Sequence, residues 1–310
     1  MARSGKVCIV GAGAMGGFYA SKLAAFDPEC VFFLAGGERF ERLQREGVTV
    51  NGRRYRLPVR RPEDEGPAAE LVVLTVKYHH LGQAIEDMQG VVGKETVILS
   101  LMNGIDSEEA LAGRFGWERV VYGVALGIDA LRDGSTVRTT QEGMVYLGEE
   151  KNDVLSPKVR QATSWLESAA IEHTVPKDML RVMWWKFMIN VGVNQVSAVL
   201  RAPFAVFQRT EEACRVMRMA MREVVELAGA LRIELTDEDL STWEEIMARL
   251  APDGRTSMCQ DVEAKRKTEV EMLGGKMIEL GREHGVAVPV NEVLFHLIRS
   301  MEQSYDILPA

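Results

Sequence analysis

KVCIVGAGAMG, from Lys6 to Gly16, runs from a short apolar strand into three spaced glycines and on into a segment, Ala14–Ala25, of helical composition. In that order the glycines have separate physical tasks: a tight turn, close approach of backbone to a ligand, and close contact between helix and strand. The free N–H groups and partial positive charge at the start of the following helix make the same loop an anion cradle. Strand, glycine loop and helix together predict a dinucleotide-binding turn made of Gly11, Ala12, Gly13, Ala14, Met15 and Gly16.

Working outward, Val31–Ala35 reads as a second strand and Arg39–Glu46 as a second helix closed by Gly47. Val48–Val59 alternates around Asn51-Gly52, a hairpin signal. Leu71–Lys77 (LVVLTVK) and Thr96–Leu101 (TVILSL) are unbroken apolar runs, as suits parallel strands covered on both faces. Val120–Ala130 and a hairpin through Asp133-Gly134 towards Met144–Gly148 are expected to close the sheet. From about residue 175 the pattern turns to long helices: Asp178–Leu200, Glu211–Leu231, Asp237–Leu250, Thr256–Glu283 and Asn291–Glu302. The fold class expected is α/β: an N-terminal Rossmann dinucleotide-binding domain over 1–174, then a C-terminal all-helical domain over 175–310 that supplies substrate and catalytic groups.

At 310 residues the chain is long for a single core and comfortable for two domains. A net charge of -8 argues against a nucleic-acid partner, which needs a basic face. The longest apolar stretch, Met183–Leu200, is broken by Lys186, Asn190, Asn194 and Gln195 and does not read as a membrane span. Met1–Lys6 is short and polar, so no secretory leader is expected. Cys8, Cys30, Cys214 and Cys259 are scattered and the histidines form no ligand pattern, which predicts no metal site and a reducing, cytoplasmic setting.

Two further features carry chemistry. The tip of the second strand reads Leu34-Ala35-Gly36-Gly37-Glu38-Arg39. No acid stands where a ribose 2′-hydroxyl would be held, and Arg39 follows, so the cofactor leans towards NADP(H) over NAD(H). In the helical half, Lys186, Asn190 and Asn194 are spaced i, i+4, i+8 on a segment that is otherwise apolar and aromatic. The stripe reads as the solvated face of that helix, as a set of caps for other backbone groups, or as a site where an ammonium and two amides meet a small polar anion.

Taken together these residues resemble the ketopantoate reductase (2-dehydropantoate 2-reductase) family. The matching elements, in order, are GAGAMG at 11–16, TVK ending at Lys77, MNG at 102–104, ALRDG at 130–134, WWKFMINVGVNQVSA at 184–198, TSMCQD at 256–261 and TEVEMLGGKMIELGREHGVAVPVN at 268–291. The resemblance implies a Rossmann domain joined to a helical one, with the active site in the cleft between them. It implies Lys186 as general acid, and Asn190, Asn194 and Ser257 as substrate contacts. Asn103 would lie near both nicotinamide and substrate, with Lys77, Ala130 and Glu269 on the cofactor side. On residue type alone, Lys77 reads equally as a strand-end surface lysine, Asn103-Gly104 as a turn, Ser257 as a helix cap and Glu269 as a solvated helix residue.

The sequence departs from the resemblance at Gly36, where many members carry arginine, and at Phe204, where some place a further asparagine. The implied function is NADPH-dependent reduction of 2-dehydropantoate to pantoate by a monomer or homodimer. The alternatives are a reductase of a different 2-keto acid or imine, and a regulator that senses NADP(H) without turnover. A sensor has no need of a general acid, so Lys186 favours an enzyme.

Overall fold

The computed structural model describes residues 5–307. Packing divides the chain into two compact units, Met1–Val182 and Met183–Ala310. In chain order the first contains β1 (Val7–Val10), α1 (Ala14–Phe26), β2 (Val31–Leu34), α2 (Gly37–Glu46), β3 (Val48–Val50), β4 (Arg53–Tyr55), β5 (Val59–Arg60), β6 (Leu71–Leu74), α3 (Leu81–Asp87), β7 (Val97–Ser100) and α4 (Ser107–Phe115). It continues with β8 (Val120–Ile128), β9 (Leu131–Asp133), β10 (Thr136–Arg138), β11 (Glu142–Gly148), α5 (Pro157–Ser168) and β12 (His173–Thr174).

The main sheet has the order β12-β11-β8-β7-β6-β1-β2-β5. Every pairing in it is parallel except β8 with β11. β1, β6 and β7 are buried along their whole length because helices cover both faces. Alternate side chains divide accordingly. Val7, Ile9, Phe33 and Leu99 pack with Phe18 and Leu23 of α1 and Trp165 of α5. Cys8, Val10, Leu74 and Ile98 pack with Ile85 of α3 and Leu111 of α4.

The Asp133-Gly134 hairpin behaves differently from the expectation that it closes the main sheet. β8 and β11 do extend that sheet, but β9 and β10 leave it and join β3 and β4 in a separate sheet of order β4-β3-β10-β9. The link is Asn51, at the tip of the β3–β4 hairpin: its side chain donates to Thr139 O at 3.0 Å and accepts from Thr139 N at 2.9 Å.

The division between units falls within α6 (Met179–Ile189), which passes through a π-helical turn, Asn190–Asn194, into α7 (Gln195–Leu200). There follow α8 (Phe204–Arg209), α9 (Glu211–Ala230), α10 (Asp237–Met247), α11 (Ser257–Glu263), a second π-helical turn (Glu271–Gly275), α12 (Lys276–His284) and α13 (Pro289–Gln303). α9 buries Met217, Ala220, Met221, Val224, Leu227 and Ala228, one stripe at helical spacing. The segment Thr256–Glu283, read as one helix, is broken after α11. Lys265 takes φ 51°, and Lys265 N and Arg266 N turn back to Val262 O and Asp261 O at 3.1 and 2.8 Å. Residues 263–267 are all exposed, so no apolar face extends the helix, and Thr268 instead gives its N–H and hydroxyl to Glu302 Oε1, each at 2.7 Å.

The glycine loop has no room for a larger residue at its last position. A Cβ on Gly16 would lie 1.8 Å from Gly11 O and 2.6 Å from Thr75 Oγ1. Gly16→Ala is therefore expected to lower stability in urea unfolding by about 1–3 kcal/mol, the usual cost of forcing a methyl into a packed site, and to weaken dinucleotide binding with it.

Candidate active site

The loops that follow the parallel strands all emerge at one edge of the main sheet, the carboxyl ends where such folds bind ligands. Gly11–Gly16 follows β1, Arg39 lies in α2 after β2, Lys77 follows β6, Asn103 follows β7 and Ala130 follows β8. β1 pairs with β2 on one side and β6 on the other, so the glycine loop sits where the chain's course through the sheet reverses. All the dinucleotide-side residues expected in the first unit thus share this edge.

The loop is shaped by Thr75. Its hydroxyl donates to Gly11 O at 2.8 Å, and its N–H donates to Val10 O at 2.8 Å, joining the ends of β1 and β6. Gly11 takes φ 103°, and a Cβ there would meet Thr75 C at 2.8 Å. Gly13 caps α1 without a side-chain bond, and a Cβ on it would meet nothing within 4 Å. Open space therefore faces the free N–H groups of α1, a cradle that fits the pyrophosphate of a dinucleotide.

Beside this loop the charge is positive. Burial, and then the guanidiniums of Arg42 and Arg39 in α2, lower the pKa of Arg132 in β9. Arg39 Nη2 donates to His80 Nε2 at 2.7 Å. Burial, and then Arg39, His79 and Lys77, hold His80 below its ordinary value and favour the neutral ring that accepts this bond. Among the described residues no carboxylate pairs with Arg39, Arg42 or Arg132. Ala130 follows Asp129, whose carboxylate, despite burial, is held at about 2 by hydrogen bonds from Thr140, Gln141 and Thr139. Those bonds fasten the start of β9, and hence Arg132, to the β10–β11 turn.

In the second unit Asn190 and Asn194 open and close the first π turn. That turn winds less tightly than an α-helix, yet the two amides remain on one face: Asn194 Nδ2 donates to Asn190 Oδ1 at 3.4 Å. Lys186 lies four residues before Asn190 in α6. Asn190 Nδ2 is buried without a hydrogen-bond partner among the described residues, an arrangement that costs about 1–3 kcal/mol unless a ligand accepts from it. Ser257 begins α11, whose cap Thr256 is joined to α7 by a 2.5 Å contact between Thr256 Oγ1 and Ser197 Oγ. Ser197 Oγ also donates to Asn194 O at 3.0 Å, so Ser257 is anchored next to the asparagine turn. Glu269 lies two residues before the second π turn, whose Gly274 faces Gln195, the first residue of α7.

Two family models match the chain: "Ketopantoate reductase PanE/ApbA" over residues 7–152 and "Ketopantoate reductase PanE/ApbA C terminal" over residues 178–302. The chain belongs to the ketopantoate reductase family. A 2-dehydropantoate 2-reductase of Archaeoglobus fulgidus is 29% identical over 303 residues, covering 96% of this chain and 98% of its own. A crystal structure of 2-dehydropantoate 2-reductase from Geobacter metallireducens GS-15 has a TM-score of 0.85 at 26% identity, over 95% of this chain and 99% of that one. D-mandelate dehydrogenase, solved with NADH and anilino(oxo)acetate, shares the fold with a TM-score of 0.89 at 24% identity, over 97% of this chain and 100% of that one. Membership makes this chain a nicotinamide-dinucleotide oxidoreductase of the ketopantoate reductase type.

Several supports of the asparagine turn carry no signal in the sequence. Gln195 is fully buried; its Nε2 donates to Val191 O and to Asn291 Oδ1, each at 2.8 Å, and so captures a carbonyl from inside the π turn. Asn291 passes the chain on to Glu223, donating through Nδ2 at 2.7 Å, and Glu223 also accepts from the N–H groups of Val290 and Asn291 at the start of α13. Gly192 lies so close to α9 that a Cβ would meet Met221 Cγ at 2.4 Å. These residues are far apart in sequence, and no spacing rule brings them together. Gln195→Met keeps the length of the side chain and removes both donors. It should cost about 1–3 kcal/mol in urea unfolding for the buried acceptors left without partners.

Proposed function

We propose that this protein reduces 2-dehydropantoate to (R)-pantoate with NADPH, a step towards pantothenate and coenzyme A. One observation carries the reading: Lys186, Asn190 and Asn194 share one helix face, and the Asn190 amide nitrogen is buried with no partner among the described residues. A bound nicotinamide dinucleotide supplies the hydride. Lys186 places its ammonium at the keto oxygen, stabilises the negative charge that develops there and gives it a proton. Asn190, Asn194 and Ser257 donate hydrogen bonds to the carboxylate and hydroxyl of the acid without adding charge. Asn103 orients the nicotinamide side and the keto group, and Lys77, Ala130 and Glu269 support the cofactor. The Gly11, Ala12, Gly13, Ala14, Met15 and Gly16 loop holds the pyrophosphate.

A second reading, a 2-keto acid with a larger apolar group, is favoured by Phe204 alone. Its backbone N–H donates to Gly254 O at 2.8 Å and its ring faces Gly254, at the position where some relatives place asparagine. A panel of 2-keto acids, including ketopantoate and phenylglyoxylate, assayed with NADPH and NADH separates the two. The first reading requires the highest kcat/KM for ketopantoate.

In the same assay Lys186→Ala should lower kcat by at least about a hundredfold, the lower range for a placed general acid, with NADPH affinity unchanged. Turnover within a few-fold of wild type in a folded variant would make Lys186 structural only. The preference for NADPH is assigned to Arg39, Arg42 and Arg132, whose mutual repulsion a 2′-phosphate relieves. Arg39→Ala and Arg132→Ala should each weaken NADPH binding on the order of tenfold or more, the worth of a charge-assisted hydrogen bond, and leave NADH binding unchanged. Equal losses for the two cofactors in calorimetry would count against that assignment.

A further inference from the structure

Glu108, in the first turn of α4, is 2% exposed, and none of the roles assigned above uses it. It ends a hydrogen-bonded series of buried groups. Ser107 Oγ donates to Glu108 Oε2 at 2.8 Å, Ser100 Oγ lies 2.8 Å from Ser107 Oγ, and Met102 N donates to Ser100 Oγ at 3.4 Å. The other carboxylate oxygen accepts from Gly123 N of β8 at 3.4 Å. A serine hydroxyl has one proton. With that of Ser107 directed to the carboxylate, Ser100 donates to Ser107 and keeps its lone pairs for Met102 N–H. The series therefore runs one way, from backbone to carboxylate. Ser100 ends β7 and Ser107 begins α4, so it staples the two ends of the loop at 101–106 that carries Asn103.

We propose that Glu108 is a positioning residue: through Ser107 and Ser100 its carboxylate holds this loop, and with it Asn103, in the arrangement used for reduction. The proposal rests on the role given to Asn103 above. Burial pushes the Glu108 carboxyl up to about 7, against the bonds from Ser107 and Gly123 and with Asp106 adding repulsion. Around it stand Asp106 in the loop, Glu109 next in α4, and Tyr122 of β8, whose hydroxyl donates to Glu150 at 3.2 Å. α3 meets α4 through an apolar cluster of Leu81, Ala84 and Ile85 with Leu111.

A carboxylate only accepts, which fixes the direction of the series, whereas a protonated carboxyl brings a proton of its own and lets the hydroxyls point either way. Loop order should thus rise with pH through about 7. Stability moves oppositely. The folded value is raised above that of a carboxyl in the unfolded chain, so the stability contributed by Glu108 is present at low pH and lost as pH rises through about 7.

The test is hydrogen–deuterium exchange of the segment at 101–106 in the full chain at pH 6 and pH 8, corrected for intrinsic rates, beside kcat and KM for the 2-keto acid. Between those pH values the carboxylate fraction of a group titrating near 7 changes about tenfold. In the wild type, protection of the segment and kcat/KM should rise together. In Glu108→Gln both should lose that dependence, and the Tm advantage of the variant over wild type should grow from pH 6 to pH 8. Wild-type protection that is flat with pH, or a Glu108→Gln protein that keeps the wild-type profile, would overturn the proposal. Should Glu108→Gln fail to fold, Ser107→Ala cuts the series while keeping the carboxyl, and retained pH-linked protection in it overturns the proposal equally. Exchange reads the loop even if no 2-keto acid is reduced, so failure of the proposed function and failure of the positioning role are seen separately.

Discussion

The first unit depends on the approach of the Gly11 backbone to Thr75. β1 and β6 are neighbours in the sheet, and the Thr75 hydroxyl holds the Gly11 carbonyl just where the chain turns from strand to helix. Any side chain on Gly11 or Gly16 would collide there. Because this turn is fixed, α1 begins with its free N–H groups facing open space, and the loops after β2, β6, β7 and β8 are arranged around it along the same edge. The phosphate-binding capacity of the first unit follows from that packing of backbone on backbone.

The second unit solves a related problem with polar groups. A π turn in a buried helix loosens the regular ladder of hydrogen bonds, and an unsatisfied carbonyl inside a protein is costly. Glu223, Asn291 and Gln195 form a buried series that ends on Val191 O, so the distortion is held from outside the helix. The asparagines at the two ends of the turn are thereby set against each other with one amide nitrogen left to donate. The donor face thus depends on α9 and α13 as much as on its own helix.

Electrostatic tension is concentrated in the first unit at the strand-end edge. The guanidiniums of Arg42 and Arg39 bear on Arg132 with no carboxylate paired to any of the three among the described residues, and a buried carboxyl lies under the loop that carries Asn103. A buried carboxyl is unfavourable by itself in a low-dielectric setting. That carboxyl is offset by two hydroxyls and a backbone N–H.

Local sequence was enough for β1, β2, β6, β7, β8 and β11 of the main sheet, the glycine loop and the change from an α/β to a helical pattern, since these rest on periodicity and on conformations that glycine allows, whereas the two-residue edge strands β5 and β12 carry no such pattern. The Lys186, Asn190 and Asn194 face was also legible, because four-residue spacing survives a π turn. Tertiary structure decided what depends on residues distant in the chain. The β9–β10 hairpin joins β3 through backbone pairing and the Asn51 amide, which reaches Thr139, 88 positions away. The helix read through 256–283 breaks because Thr268 finds Glu302 rather than another helical turn. Arg132 meets Arg39 and Arg42 only once the small sheet has formed, and Gln195 reaches Asn291 across 96 residues. Spacing along a chain reports which side chains share one element, whereas a buried hydrogen bond between elements depends on how their surfaces pack.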